Sequence, residues 1–136
     1  MKIDELKHSD LTNGIIKAFY KVYNALGYGF LEKVYENALF IELVNNQYVV
    51  EKQSKILVSY EGVNVGNYYA DLLVENKVII EVKASSSLSH EHEAQLINYL
   101  RATKIEVGLL LNFGKSPNFR RKIYFNGEIL DPDIVI

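Results

Sequence analysis

The segment from 78 to 84 places charged side chains inside a run of apolar ones. Valine, isoleucine and alanine surround Glu81 and Lys83 in this run. A short and nearly continuous apolar run predicts a strand that is buried on both faces of a sheet. Charged groups in such a strand are costly unless they are paired or bind a metal. The chain is therefore expected to form a buried sheet that carries a charged site.

A second acidic residue is expected to lie beside this strand. Side chains alternate along a strand, so Glu81 and Lys83 point to the same face and Val82 is turned away. Asp71 lies in the preceding predicted strand, and Glu75-Asn76 between the two strands is a plausible tight hairpin turn. A hairpin with the matching register brings Asp71 close to Glu81 or Lys83. The prediction is a patch of two carboxylates and one ammonium at the end of a sheet.

Such a patch has a clear use in phosphate chemistry. Two carboxylates can hold Mg²⁺, which keeps several of its waters, and the ion polarises a phosphate and lowers the pKa of a bound water. Lys83 can orient or deprotonate that water, or neutralise charge on the phosphorus. The alternative interpretation of Glu81 and Lys83 is a surface charge pair worth roughly 0–1 kcal/mol. The apolar flanks favour the functional interpretation.

Two helices are predicted before the sheet. Apolar residues spaced three or four apart indicate a helix over 10–26, capped by Ser9 or Asp10, and a second over about 30–44. Gly27 and Gly29 separate them. Glu32 and Glu36 share one face of the second helix. Its apolar face is expected to consist of Leu31, Val34, Ala38 and Ile41.

The pattern then changes to that of a mixed sheet. Strands are predicted over 55–60, 67–74 and 77–84, followed by a helix over 90–103 with Ser89 as its cap. A buried strand over 107–111 and a short hairpin over 122–130, turning at Asn126-Gly127, complete the chain. The expected order is ααβββαβ with a short β tail. This predicts one α/β domain over residues 1–136, with a mixed β-sheet flanked by helices.

Composition limits the function further. The chain has no Cys, which excludes disulfides and cysteine chemistry, and its net charge is −2. A nucleic-acid-binding protein would then need a local patch or a metal to supply positive potential. The N-terminus lacks an apolar signal region and no run approaches 18 apolar residues, so a cytoplasmic protein without a membrane span is expected.

Three motifs, in order, resemble those of one nuclease superfamily. Asp71, nine intervening residues and Glu81-x-Lys83 resemble the D-x(n)-(D/E)-x-K signature of the PD-(D/E)XK nucleases, although Ala70 stands where the Pro of that name would be. The sequence from 29 to 35, GFLEKVY, resembles the motif that names the GxxExxY family within that superfamily. The sequence from 95 to 99, QLINY, resembles the Q-x-x-x-Y helix of its exonuclease-like branches.

The resemblance implies a restriction-endonuclease-like core and a metal-dependent nuclease that hydrolyses phosphodiester bonds, most readily in DNA. Mg²⁺ would be the cofactor, and Mn²⁺ could substitute for it. The metal ligands would be Asp71, Glu81, the Val82 carbonyl and a carboxylate from the helix before the sheet. Glu32 matches the motif position for that carboxylate, and Glu36 is its rival. The alternative for both is a solvated helix face.

By the same resemblance, Lys83 would be the catalytic lysine, and Gln95 and Tyr99 would hold a DNA strand or a ligand. The alternative for Gln95 and Tyr99 is a pair on the helix surface. Tyr35 is either a core residue or a contact residue. A homodimer would enlarge the binding surface.

Other interpretations stay open. The acidic net charge and small size also fit a catalytically weak or inactive nuclease-fold module that binds nucleic acid or a protein partner. An interaction protein without a metal site would require Asp71 and Glu81 to lie far apart. No histidine metal site is expected, because His90 and His92 fall on different helix faces. One basic cluster either contacts phosphates or is an ordinary solvated tail. It consists of Lys115, Arg120, Arg121 and Lys122.

Overall fold

A computed structural model describes residues 7–130, which form three helices and six strands. The helices are α1 (Ser9–Leu26), α2 (Glu32–Asn45) and α3 (His90–Thr103). The strands are β1 (Val50–Tyr60), β2 (Val63–Val74), β3 (Val78–Lys83), β4 (Val107–Asn112), β5 (Asn118–Phe125) and β6 (Glu128–Leu130). This order confirms the predicted ααβββαβ arrangement with a β tail.

The strands form one mixed sheet in the order β1-β2-β3-β4-β5-β6. Neighbours are antiparallel except β3 and β4, which are parallel. A parallel pair needs a crossover connection, and α3 provides it. All six residues of β4 and the first five of β3 are buried. The continuous apolar runs therefore do form the centre of the sheet, as predicted.

Helices cover both faces of the sheet and produce two cores. The core that contains Phe19 of α1 and Leu39 of α2 also contains Leu109 and Leu111. The core on the α3 side contains Leu96 of that helix and Leu110. Successive residues of β4 thus alternate between the two cores, as side chains do along a strand. None of the helices in the described part of the chain is long and apolar enough to cross a membrane.

The predicted buried face of α2 is wrong. Leu31, Val34 and Ile41 are exposed, and only Ala38 of that stripe packs against a core. Apolar residues occur on several sides of α2, so its periodicity does not select one stripe. Packing makes the choice, because the ring of Tyr35 stacks on Phe113 with 4.6 Å between centroids. The buried residues are Tyr35, Glu36, Leu39 and Leu43.

Local signals fixed several boundaries. The Ser89 Oγ accepts the His92 N–H, and the His92 Nδ1 accepts the Ser89 N–H, which confirms the predicted cap of α3. Glu75 and Asn76 have φ values of 53° and 56°, as a tight hairpin turn requires. Both caps predicted for α1, Ser9 and Asp10, are wrong, since the helix begins at Ser9 and its N-cap is His8.

Candidate active site

Two carboxylates lie between β2 and β3 where the backbone pairing of these strands ends. The last backbone pair on this side is Leu72 with Ile80. Beyond it, Glu81 Oε2 accepts the Asp71 N–H at 2.8 Å, and Asp71 Oδ2 accepts the Val82 N–H at 2.7 Å. The carboxylates thus occupy positions that carbonyl oxygens hold in a regular ladder. Asp71 and Glu81 are brought together as the predicted hairpin implies, which contradicts the interpretation that separates them.

The pairing of β1 with β2 is also irregular at Asp71. Gln53 lies opposite Asp71, between two regular pairs, and has a left-handed φ of 51°. Ala70 belongs to the core on the α3 side, whereas Leu72 belongs to the opposite core. Residues two apart in a regular strand would share a face. The alternation therefore switches at Asp71, and no sequence signal predicted this break.

The carboxylate of Glu36 is fixed beside this break. Its Oε1 and Oε2 accept hydrogen bonds from Gln53 Nε2 at 3.0 and 3.1 Å, and its Oε2 lies 3.0 Å from Lys33 Nζ. Glu36 is buried, so a solvated face is the wrong interpretation for it. Glu32 is exposed at the first residue of α2. The geometry favours Glu36 over Glu32 as the helix carboxylate near the pair.

The electrostatics of the pair call for a cation. Burial, and after it the neighbouring charge of Asp71, raises the pKa of Glu81 to about 8. Burial also raises the pKa of Asp71, against the lowering effect of its bond to the Val82 N–H. Glu36 raises the pKa of Asp71 more than Glu32 does, and Lys83 lowers the pKa of both members of the pair. One nearby ammonium therefore leaves excess negative charge at the site.

The donor set fits a hard divalent ion. Each carboxylate keeps one oxygen that its backbone contact does not occupy. Within residues 7–130, no group of three or more His, Cys, Asp or Glu side chains lies close enough to hold a metal by itself. Mg²⁺ binds through one or two carboxylates and retains waters, whereas Zn²⁺ sites use three or four protein ligands. The two carboxylates thus suit a hard divalent ion that keeps some of its waters.

Tyr99 of α3 lies near the pair from the other side. Burial is the largest cause that raises the pKa of its hydroxyl to about 12, and the charges of Glu81 and Asp71 act in the same direction. The hydroxyl therefore stays protonated. Gln95 lies one helical turn earlier. Both residues line a cleft of about 810 Å³ between α3 and the β1–β2 hairpin. Gln95 and Tyr99 therefore face a cavity, and Tyr99 is also within reach of the charges of the two carboxylates.

The loop after Lys83 is held by a residue that the sequence analysis did not single out. The buried Asn112 accepts the Ser85 N–H at 3.0 Å and donates to the Ser85 carbonyl at 3.0 Å. The Phe113 N–H donates to the Lys83 carbonyl at 2.7 Å. A Cβ on Gly114 would lie 2.0 Å from the Ser85 oxygen, so this close approach requires glycine. An asparagine at the end of a buried strand was the only signal available.

The GxxExxY-like segment has a structural role at its two ends. Gly29 has a φ of 112°, which disfavours any residue with a Cβ. The buried hydroxyl of Tyr35 donates to the Gly27 carbonyl at 2.6 Å and accepts the Phe30 N–H at 3.2 Å. Tyr35 is thus a core residue that fixes the loop between α1 and α2. This loop sets where α2 and its Glu36 begin.

The predicted basic cluster does not form a single surface. Arg121 and Lys122 are buried in β5, and Lys122 Nζ lies 2.6 Å from Glu93 Oε1. Two of the four cations are therefore inside the protein, where charged groups pair with other protein groups and are not displayed to a ligand. Both predicted interpretations of the cluster, as a phosphate contact or as a solvated tail, are therefore wrong for Arg121 and Lys122.

Comparisons with known proteins place the chain in a family. A model of the PD-(D/E)XK nuclease superfamily matches residues 9–123. The chain belongs to the PD-(D/E)XK nuclease superfamily, and its mixed sheet with flanking helices is the restriction-endonuclease-like core. Its membership of the GxxExxY family stays a prediction.

One of two similar solved structures supports the fold. The protein called SSO0001 in its crystal structure aligns with a TM-score of 0.51 and 22% identity, over 65% of this chain and 48% of that one. An alkaline exonuclease (LHK-Exo) from Laribacter hongkongensis aligns with a TM-score of 0.48 and 13% identity, over 65% of this chain and 53% of that one. The chain thus spans about half the length of each. A search of the curated proteins found no match.

Proposed function

We propose that this protein is a metal-dependent nuclease that hydrolyses phosphodiester bonds, most readily in DNA. The observation that carries the proposal is the pair of partly buried Asp71 and buried Glu81, which share a break between two strands with Lys83 alongside. If these positions served stability alone, apolar residues would be more favourable there, because buried charges are costly. Superfamily membership gives the reaction class.

Each residue has a proposed role. Asp71 and Glu81 would each bind Mg²⁺ through one carboxylate oxygen, and the Val82 carbonyl oxygen would be a further ligand. Mn²⁺ could substitute for Mg²⁺. The bound ion would polarise the phosphate and acidify a water. Lys83 would orient or deprotonate the attacking water, or neutralise charge that develops on the phosphate. Glu36 would add negative charge beside Asp71, the role that the sequence motif gives to Glu32.

The test is cleavage of labelled single- and double-stranded DNA and RNA with Mg²⁺ or Mn²⁺, and with EDTA as the metal-free control. Lys83→Ala is expected to lose metal-dependent cleavage and to keep its fold. Lys77→Ala is the matched control, because Lys77 is an exposed lysine in the turn before β3. Full activity in Lys83→Ala, or equal losses in both variants, would contradict the proposed role of Lys83.

Two observations favour a second candidate function. The described residues offer no third carboxylate or imidazole close enough to complete a metal-binding group, and the net charge is −2. A weak or inactive nuclease-fold module that binds nucleic acid or a protein partner has both properties. Thermal stabilisation by Mg²⁺ without cleavage of any of the four substrates would favour this candidate. Cleavage of any one of them would favour the nuclease.

A further inference from the structure

The cleft that Gln95 and Tyr99 line has features that the reaction itself does not use. It lies between α3 and the outer part of the β1–β2 hairpin, which carries Leu57, Ser59 and Tyr68. Its volume of about 810 Å³ is in the range of a ligand site. The polar side chains along α3 that line it are Glu91, Gln95, Asn98, Arg101 and Lys104.

Tyr68 offers an aromatic face to this cleft. It is 49% exposed, although it packs against the buried Tyr99 with 5.9 Å between ring centroids and 47° between ring planes. Tyr99 supports one side of the Tyr68 ring, and the rest is open to a ligand. Exposed aromatic rings in a groove stack on the bases of single strands, whereas the base faces inside a duplex are covered by neighbouring base pairs.

The cleft also has cations at one end and an anion at the other. Arg101 and Lys104 are exposed at the last turn and the end of α3, whereas Glu91 is exposed in its first turn. The Lys104 Nζ lies 5.5 Å from the centre of the Tyr124 ring, which leaves Arg101 as the better placed phosphate contact. A strand of negative charge would be attracted to the Arg101 end and repelled by Glu91.

Tyr99 is common to the cleft and to the surroundings of the carboxylate pair. Tyr99 lines the cleft, and the charges of Glu81 and Asp71 act on its hydroxyl. This shared residue, together with the aromatic ring of Tyr68 and the arginine, points to an extended polyanion with unstacked bases.

We propose that the cleft between α3 and the β1–β2 hairpin is the path of a single-stranded nucleic-acid segment, with Tyr68 as a base-stacking residue and Arg101 as a phosphate contact. The proposal rests on the proposed nuclease function and names the form of nucleic acid that the site takes. A duplex, whose base faces are covered by neighbouring base pairs, cannot use the Tyr68 ring in this way.

The experiment measures binding separately from cleavage. Fluorescence anisotropy of a labelled oligothymidylate of about 12 nucleotides is recorded in EDTA, with an unlabelled duplex of equal length as competitor. Tyr68→Leu removes the ring but keeps apolar bulk, and it is expected to weaken binding about tenfold or more. Tyr68→Phe should bind like the wild type. Tyr60→Leu is the matched control, because Tyr60 is 69% exposed and lies outside the cleft.

The charged residues give a second readout that does not depend on Tyr68. Arg101→Ala should reduce the slope of log affinity against log salt by about 0.7, the value for one phosphate contact on a single strand. Glu91→Gln should raise the affinity at low salt. Thermal midpoints of all variants establish that they are folded.

Each outcome separates the two proposals. Equal binding by Tyr68→Leu and Tyr60→Leu, preference for the duplex, or no binding of the single strand by the wild type would overturn the cleft as a strand path. If the wild type still cut DNA in those cases, the proposed nuclease function would stand. Tyr68-dependent binding without cleavage under any metal condition would instead leave the strand path in place and remove the nuclease function.

Discussion

Replacing Glu81 by Gln tests whether the carboxylate pair is a preformed site for a cation. The folded-state pKa of Glu81 is about 8, against an ordinary value of 4.5. Between these two pH values the folded protein keeps a proton that the unfolded chain has released. The stability of the metal-free protein must therefore fall as pH rises through this window. Below about pH 4.5 both states are protonated and this loss is absent.

The size of the effect follows from the same pKa. Each pH unit within the window changes the free energy of unfolding by about 1.4 kcal/mol per proton. Going from about pH 5.5 to about pH 9 should weaken the wild type by roughly 3 kcal/mol through Glu81. Glu81→Gln removes this proton but keeps an oxygen that can accept the Asp71 N–H. Burial also raises the pKa of Asp71, an effect of the same sign that both proteins share.

Urea denaturation in EDTA at the two pH values measures this difference. Between about pH 5.5 and about pH 9, the free energy of unfolding of Glu81→Gln is expected to fall by roughly 3 kcal/mol less than that of the wild type. Glu51→Gln is the control for loss of one negative charge, since Glu51 is an exposed residue of β1. If Glu81→Gln followed the wild type at both pH values, the carboxylate would not be destabilised by its surroundings, and the argument for a cation site would fail.

Three further predictions concern the metal, the helix loop and the loop after β3. Millimolar Mg²⁺ should raise the thermal midpoint and release protons near pH 7.5, seen by calorimetry in buffers of different ionisation enthalpy, and Asp71→Asn should lose both effects. Tyr35→Phe should lower the free energy of unfolding in urea by about 1–3 kcal/mol, because the Gly27 carbonyl loses its buried donor. Asn112→Ala should lower the free energy of unfolding in urea by a similar amount, since it leaves the Ser85 backbone without its two hydrogen-bond partners. It should also slow cleavage more than Tyr35→Phe does. Unchanged unfolding in either of these variants would contradict the hydrogen bonds assigned to it.

The Mg²⁺ prediction has a direct physical basis in the pair. Glu81 has a pKa of about 8 without metal, so it is largely protonated at neutral pH. A divalent cation favours the ionised form and displaces that proton. Stabilisation by Mg²⁺ without proton release would mean that the ion binds elsewhere on the protein.

Much of the fold could be predicted because its signals are local. Period-two and continuous apolar patterns located the strands, and the Ser89 cap and the Glu75-Asn76 turn set two boundaries. These signals depend on a few neighbouring residues, which is why one sequence suffices to read them. The predicted strands over 55–60 and 67–74 were too short, since β1 and β2 extend to Val50 and Val63 as a long hairpin.

The sequence alone therefore determined the order of elements, the buried centre of the sheet and the nearness of Asp71 to Glu81, because a hairpin and the alternation of its side chains fix them. Only the tertiary structure decided which side of α2 is buried, and with it the choice between Glu32 and Glu36. It also decided the break at Gln53 and the support of the Lys83 loop by Asn112. These features depend on contacts between residues distant in the chain, and packing selects among several arrangements that the local pattern permits equally.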